Sequence, residues 1–167
     1  MLLFAKFCCS QIVKPGFNLV EGAKEITLGK VVSIAQDRFG YMWFVDQTNG
    51  WLVRYDGYRM KTYQNDPTDS NSIGGKVFEC ITADKHGNIW IATAYGADKF
   101  DPATNIFTHY VYKGTGRFKG ETKSQMGVSN ILVDHLDIVW LGTMEGLYKL
   151  DQKTGKFTHY VHNDNDP

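Results

Sequence analysis

Residues 84–90 read DKHGNIW, and the same frame stands at 37–43 as DRFGYMW and at 134–140 as DHLDIVW. In each, an aspartate (Asp37, Asp84, Asp134) stands six residues before a tryptophan (Trp43, Trp90, Trp140). An apolar residue precedes each tryptophan (Met42, Ile89, Val139) and another follows it (Phe44, Ile91, Leu141). Ile34, Ile81 and Ile131 each lie three residues before the aspartate. Downstream, Gly96 and Gly146 both fall six residues after their tryptophan, followed by Phe100-Asp101 and Leu150-Asp151. The first copy has Tyr55-Asp56, two residues later in its frame. The copies close on MKTY, FTHY and FTHY, ending at Tyr63, Tyr110 and Tyr160. Three copies at a period of roughly fifty residues are the signature of a repeat architecture.

The middle copy shows what one unit is. VFECITA is an apolar run of strand formers, DKHG is a turn with Gly87 suited to positive φ, and NIWIATA is a second strand. YGAD turns the chain into a third strand at KFD, PATN turns it again with Pro102 and Asn105, and IFTHYV is a fourth strand. Four short antiparallel strands joined by tight turns make the blade of a β-propeller. The expected fold is therefore all-β, a partial propeller of three tandem four-stranded blades at 31–66, 77–112 and 128–163. The linkers QNDPTDSNSIGGK and YKGTGRFKGETKSQMG would be the crossings between blades. Three blades make an open arc, so the two end blades should expose apolar faces.

The pattern D-x-x-G-x-[IVM]-W-[IF], then G-[LA]-x-[KR]-[FYL]-D, then F-x-x-Y, resembles the two-component regulator propeller repeat. ADKHGNIWIATAYGADKFDPATNIFTHY is similar to it along its whole length, and the resemblance covers residues 31–167. Two departures stand out: WFVD after the first tryptophan in place of W-[IF]-G-T, and Asp137 where Gly40 and Gly87 stand. Aspartate tolerates left-handed geometry better than most residues. The resemblance implies the sensor region of a hybrid two-component system of gut Bacteroidetes, periplasmic, its parent protein anchored in the inner membrane. It implies recognition of carbohydrate breakdown products, with binding rather than catalysis in this chain. The implied partners are an oligosaccharide or other small nutrient and the remaining blades of the parent, with the membrane reached only through downstream segments. A propeller glycan hydrolase or lyase and a self-associating interaction scaffold are the alternatives.

The three aspartates would serve as turn caps rather than catalytic carboxylates. Trp43, Trp90 and Trp140 read as core between blades rather than sugar-stacking platforms. Trp51 differs, because it falls in the extra residues of the first copy, QTNGW. It is either an exposed loop aromatic poised for ligand contact or the first residue of the third strand. With Asn49 beside it, and Tyr95 and Glu145 in the equivalent loops, it forms the candidate ligand-binding set. His109 and His159 occupy one slot of different blades and read as half-exposed strand residues copied by duplication, not as a metal pair. The basic run KGTGRFKGETK reads as a solvated loop. No phosphate loop, nucleophile elbow or HExxH motif is present, so neither cofactor nor metal is expected.

The bulk properties agree. The 167 residues are 43% hydrophobic and 22% charged, which is globular, and the 14% aromatic content favours β structure. Basic and acidic residues balance at 18 each, so no electrostatic footprint for nucleic acid exists. Of the three cysteines, Cys8 and Cys9 lie in the leader and Cys80 in an apolar run, which is neither a disulfide framework nor a zinc spacing. Residues 1–11, MLLFAKFCCSQ, read either as a truncated signal peptide or as a plain N-terminus. Residues 12–30 form a leader in which FNLV (17–20) is a candidate ring-closing strand.

Overall fold

The computed structural model describes residues 26–94, 96–112 and 127–161. The segment 1–11, the FNLV stretch and the basic run 113–123 lie outside the described residues. The described chain forms three antiparallel sheets, each a simple meander of four consecutive strands. Blade 1 is β1 (Val31–Gln36), β2 (Met42–Asp46), β3 (Trp51–Tyr55) and β4 (Met60–Tyr63). Blade 2 is β5 (Phe78–Ala83), β6 (Ile89–Thr93), β7 (Gly96–Asp101) and β8 (Ile106–Val111). Blade 3 is β9 (Val128–Val133), β10 (Val139–Thr143), β11 (Gly146–Asp151) and β12 (Lys156–Tyr160). The all-β partial propeller of three blades expected from the repeat is thus the observed fold.

Strand alternation gives each blade two faces. One carries the tryptophan. In blade 2, Trp90 sits opposite Thr82 and Lys99 on that face, while Ile91, Ile81 and Asp98 share the other. Two cores result, and each lies between blades. Trp43, Val45, Leu52 and Tyr63 of blade 1 pack on Ile81, Ile89, Ile91, Phe100 and Phe107 of blade 2. Trp90, Ala92 and Ala97 of blade 2 pack in turn on Ile131, Val139, Leu141, Tyr148 and Leu150 of blade 3. One rule makes both seams: the tryptophan face of a blade receives the opposite face of the next. The closing tyrosine packs against the indole of its own blade, with Trp43–Tyr63, Trp90–Tyr110 and Trp140–Tyr160 ring centroids 5.8, 5.6 and 5.9 Å apart.

The tryptophan face of blade 3 has no such cover among the described residues. Trp43 and Trp90 are fully buried, whereas Trp140 is half-buried, Leu132 is 59% exposed and Tyr160 47%. Burying the large apolar side chains of such a face yields roughly 25 cal/mol per Å².

The D-x-x-G turn anchors the indole. Asp84 Oδ1 accepts the backbone N–H of His86 and Asn88, each at 2.9 Å, and Oδ2 accepts Trp90 Nε1–H at 3.1 Å. Asp37 does the same for Phe39, Tyr41 and Trp43, and Asp134 for Leu136, Ile138 and Trp140. The fourth turn residue has positive φ in all three: 88° at Gly40, 93° at Gly87 and 62° at Asp137. The aspartate therefore closes the turn and also satisfies an indole N–H that a dry seam would leave unpaired.

Gly96 marks another constraint. Its φ is +152°, and a Cβ there would run into the Tyr110 carbonyl oxygen; at Gly146 a Cβ would lie 2.6 Å from the Tyr160 carbonyl oxygen. The third strand begins so close to the fourth that only glycine fits. Gly57 also has positive φ, but nothing stands within 4 Å of its Cβ position.

Two stability tests follow from this geometry. Asp84→Ala leaves the buried Trp90 N–H without its acceptor, a cost of about 1–3 kcal/mol. Asp134→Ala frees an indole that water can reach, so its denaturation midpoint should fall less at unchanged m-value. Equal losses would contradict the seam argument. Gly57→Ala should cost about 1–2 kcal/mol for the left-handed backbone alone, and Gly96→Ala clearly more, read by thermal unfolding.

Candidate functional site

The hairpins joining the second and third strands of the blades gather at one end of the arc. In blades 2 and 3 they are two residues long, 94–95 and 144–145, with Thr93 opposite Gly96 and Thr143 opposite Gly146. In blade 1 the register continues with Asp46 opposite Trp51, so the hairpin is 47–50, four residues of QTNG. The two extra residues of the first copy are thus in the hairpin. Trp51 opens β3, half-buried, in the register place of Gly96 and Gly146. β4 stops at Tyr63, opposite Leu52.

Asp46 organises this hairpin from a fully buried position. Its Oδ2 accepts Gly29 N–H at 2.8 Å and Asn49 Nδ2–H at 2.7 Å, and its Oδ1 accepts Asn49 N–H at 3.1 Å. Burial pushes the carboxyl upward, but the hydrogen bonds from Gly29, Asn49 and Thr48 outweigh it and hold the group below the usual carboxylate range. Asp46 is therefore a charged anchor. Asn49 also donates to the Thr27 carbonyl at 3.2 Å.

Glu145 is placed differently. It is buried at 4% exposure, and its Oε2 accepts the Tyr148 hydroxyl at 3.1 Å. Burial, then the Glu145 hydrogen bond and charge, drive the Tyr148 hydroxyl well above its ordinary pKa. The Glu145 carbonyl faces His159 Nε2 at 2.8 Å, and the His159 ring lies flat on Tyr148 with centroids 4.1 Å apart. The structure thus brings Asn49 and Trp51 together in one hairpin and places Glu145 two blades away, turned inward. Tyr95 lies outside the described residues.

The twin histidines carry more structure than their repetition suggested. His109 and His159 share a slot on the face turned to the preceding blade, but the residue opposite is Asp98 in blade 2 and Tyr148 in blade 3. His109 Nδ1 lies 2.8 Å from Asp98 Oδ1. The signal available was the departure from the repeat at position 98 against 148, and the two FTHYV copies concealed it. Among the described residues, no group of three or more His, Cys, Asp or Glu side chains could hold a metal ion. Asp37, Asp84 and Asp134 are committed to turns and indoles, one per blade, and do not converge.

Comparison with known proteins agrees with this geometry. Residues 71–95 match the family model described as two component regulator propeller. The extracellular domain of BT3049 from B. thetaiotaomicron, titled as a hybrid two component system, is 31% identical with a TM-score of 0.64; the match covers 81% of this chain and 19% of that one. The extracellular domain of BT4673 from the same organism, titled as a one component system, is 19% identical with a TM-score of 0.63, covering 80% and 17%. Virginiamycin B lyase from Staphylococcus aureus is 14% identical with a TM-score of 0.61, covering 81% and 42%, a likeness of fold alone. No curated protein matches. The chain spans about a fifth of the length of the extracellular domains it matches. The family match falls on the second of three blades that share one repeat register, which fits two-component regulator propeller repeats.

Proposed function

We propose that the chain is a segment of the ligand-sensing propeller of a periplasmic hybrid two-component sensor anchored in the inner membrane. It takes part in recognising carbohydrate breakdown products and catalyses nothing itself. The observation that carries this reading is the 31% identity, over 81% of the chain, to the extracellular domain of a protein titled as a hybrid two component system. The local chemistry supports it. The blade-turn carboxylates close turns and bind indoles, while Asn49 and Trp51 sit on an anchored hairpin at one end of a rigid seam. An aromatic edge beside an amide suits a sugar, whose C–H faces stack on rings and whose hydroxyls pair with amides. The likeness to virginiamycin B lyase reaches the fold and no further, so it favours no enzymatic reading.

The partners of this segment are further blades of the same kind. Both internal seams set an opposite face on a tryptophan face, and among the described residues blade 3 ends in an open tryptophan face with Leu132, Trp140, Leu147 and Tyr160. Self-association is the other use of that surface.

Titration of the chain with a panel of oligosaccharides tests the sensor reading. Saturable binding should raise the unfolding midpoint, by about 2.7 kcal/mol of stability at a hundredfold excess over Kd. Asn49→Ala and Trp51→Ala should each abolish that rise. A panel without saturable binding would overturn the carbohydrate assignment, and new reducing ends or unsaturated products would overturn the non-catalytic one. For the open face, Leu132→Glu should change stability by no more than about 0.5 kcal/mol and suppress concentration-dependent light scattering. Unchanged scattering would place self-association elsewhere.

A further inference from the structure

The crossing between the first two blades, residues 64–77, is fastened to blade 2 by one side-chain pair. Asp98 and His109 face each other across β7 and β8, with side chains 5% and 33% exposed. His109 Nδ1 lies 2.8 Å from Asp98 Oδ1, and His109 Nε2 lies 3.1 Å from the Ser70 carbonyl oxygen of the crossing. Asp98 Oδ2 accepts Gly74 N–H from the same crossing at 2.6 Å. Gly74 fits closely, since a Cβ there would stand 3.0 Å from Asp98 Oδ2 and 3.1 Å from His109 Nδ1. Around this point Phe107 N–H donates to the Asn71 carbonyl at 3.0 Å, and Ile73 is fully buried in the seam between blades 1 and 2.

Both imidazole nitrogens thus face oxygen acceptors, one carboxylate and one carbonyl. A neutral imidazole has one N–H and one lone pair, so either tautomer sets a lone pair against an acceptor. Only the imidazolium satisfies both. The other charged groups nearby are already engaged. Asp66 accepts from Thr68 N and Oγ1 at 2.9 and 2.7 Å, and Asp69 accepts from Asn71 N at 2.9 Å. From blade 1, Lys61 reaches Asn105 Oδ1 at 3.2 Å and lies over the Tyr63 ring. The Asp98 hydrogen bond raises the His109 pKa above its ordinary 6.5, burial opposes it, and the Asp98 charge and the backbone at Ser70 and Ser72 add to the rise.

The crossing also seats the hairpin of blade 1. Gly50 has φ +67°, and a Cβ there would lie 3.0 Å from the Lys76 carbonyl oxygen and 3.3 Å from Lys76 Cα. The end of the crossing and the backbone beside Asn49 are therefore in direct contact.

We propose that Asp98 and His109 form a protonation-controlled clasp that holds the crossing 64–77, and with it the hairpin 47–50, and that loosens both when His109 loses its proton. Because the folded pKa is raised, the clasp contributes in full below the unfolded histidine value and is lost as pH rises through the folded one. Blade 3 provides an internal contrast, because Tyr148 replaces Asp98 there and His159 stacks on it. The clasp stands apart from the sugar reading, which bears only on what the hairpin binds.

NMR of the intact chain between pH 5 and 9 tests the clasp. The His109 ring should titrate above 6.5. Protection of the Gly74 amide, corrected for intrinsic exchange, should fall with the same midpoint, and the Gly50 amide shift should follow it. His109→Gln should abolish the transition at Gly74 and Gly50. A His109 midpoint at or below 6.5, or Gly74 protection that ignores pH, overturns the proposal on the wild-type chain alone, whether or not the variant folds. A normal clasp transition with a silent Gly50 would overturn the link to the hairpin. Failure of sugar binding would leave all three readouts intact.

Discussion

An indole buried between two sheets must find an acceptor for its N–H or forfeit much of what its burial supplies. In this chain the acceptor comes from six residues upstream, at the turn that precedes the strand. Asp37, Asp84 and Asp134 each hold one indole nitrogen, at 2.8, 3.1 and 3.0 Å. The bond fixes the tryptophan rotamer while the same carboxylate closes the turn. A blade so prepared presents a flat aromatic face that its own strands do not cover. Stacking on a neighbour is then a requirement, and the arc of blades is the consequence.

The rims of the seams repeat in kind while their chemistry varies. At the turn end, Arg38 Nη1 reaches the Lys85 carbonyl and Lys85 Nζ the His135 carbonyl, each at 3.3 Å. At the outer strands, Lys61 meets Asn105 Oδ1 and Lys99 meets Gln152 Oε1. Where blade 3 replaces the turn glycine with Asp137, that carboxylate accepts Lys85 at 2.8 Å and faces His86 at 3.2 Å. These exposed contacts are individually weak, but they select the alignment of one blade on the next. The rigidity they share with the two cores is what lets hairpins at the opposite end hold a fixed geometry. Asp46 extends that rigidity into the hairpin by tying Asn49 to the buried end of β2.

The fold was largely legible in the sequence because each blade restates the same local chemistry. Strands, turn glycines and the left-handed Asp137 could be placed from three aligned copies. The indole bond is not legible there, since spacing alone does not show that the side chains of residues i and i+6 meet around a turn. Trp51 was ambiguous because two extra residues could lie before or after it; the register with Asp46 sets them before it. The clasp was hidden for a different reason. FTHYV recurs letter for letter, while the residue opposite the histidine changes from Asp98 to Tyr148 and the carbonyl it reaches belongs to a crossing with no repeat. Glu145 illustrates the same limit, because a loop carboxylate looks exposed until Tyr148 is seen beneath it.

The account turns on indoles locked by their own blade and covered by the next. Hydrogen exchange at the indole Nε1 positions, resolved by ¹⁵N NMR on the intact chain, measures this directly. Trp43 and Trp90 should exchange slowly, protected by closed seams, and Trp140 distinctly faster, bonded to Asp134 but facing solvent. Equally rapid exchange at all three would contradict the stacking of the blades, and equally slow exchange would contradict the open face of the third.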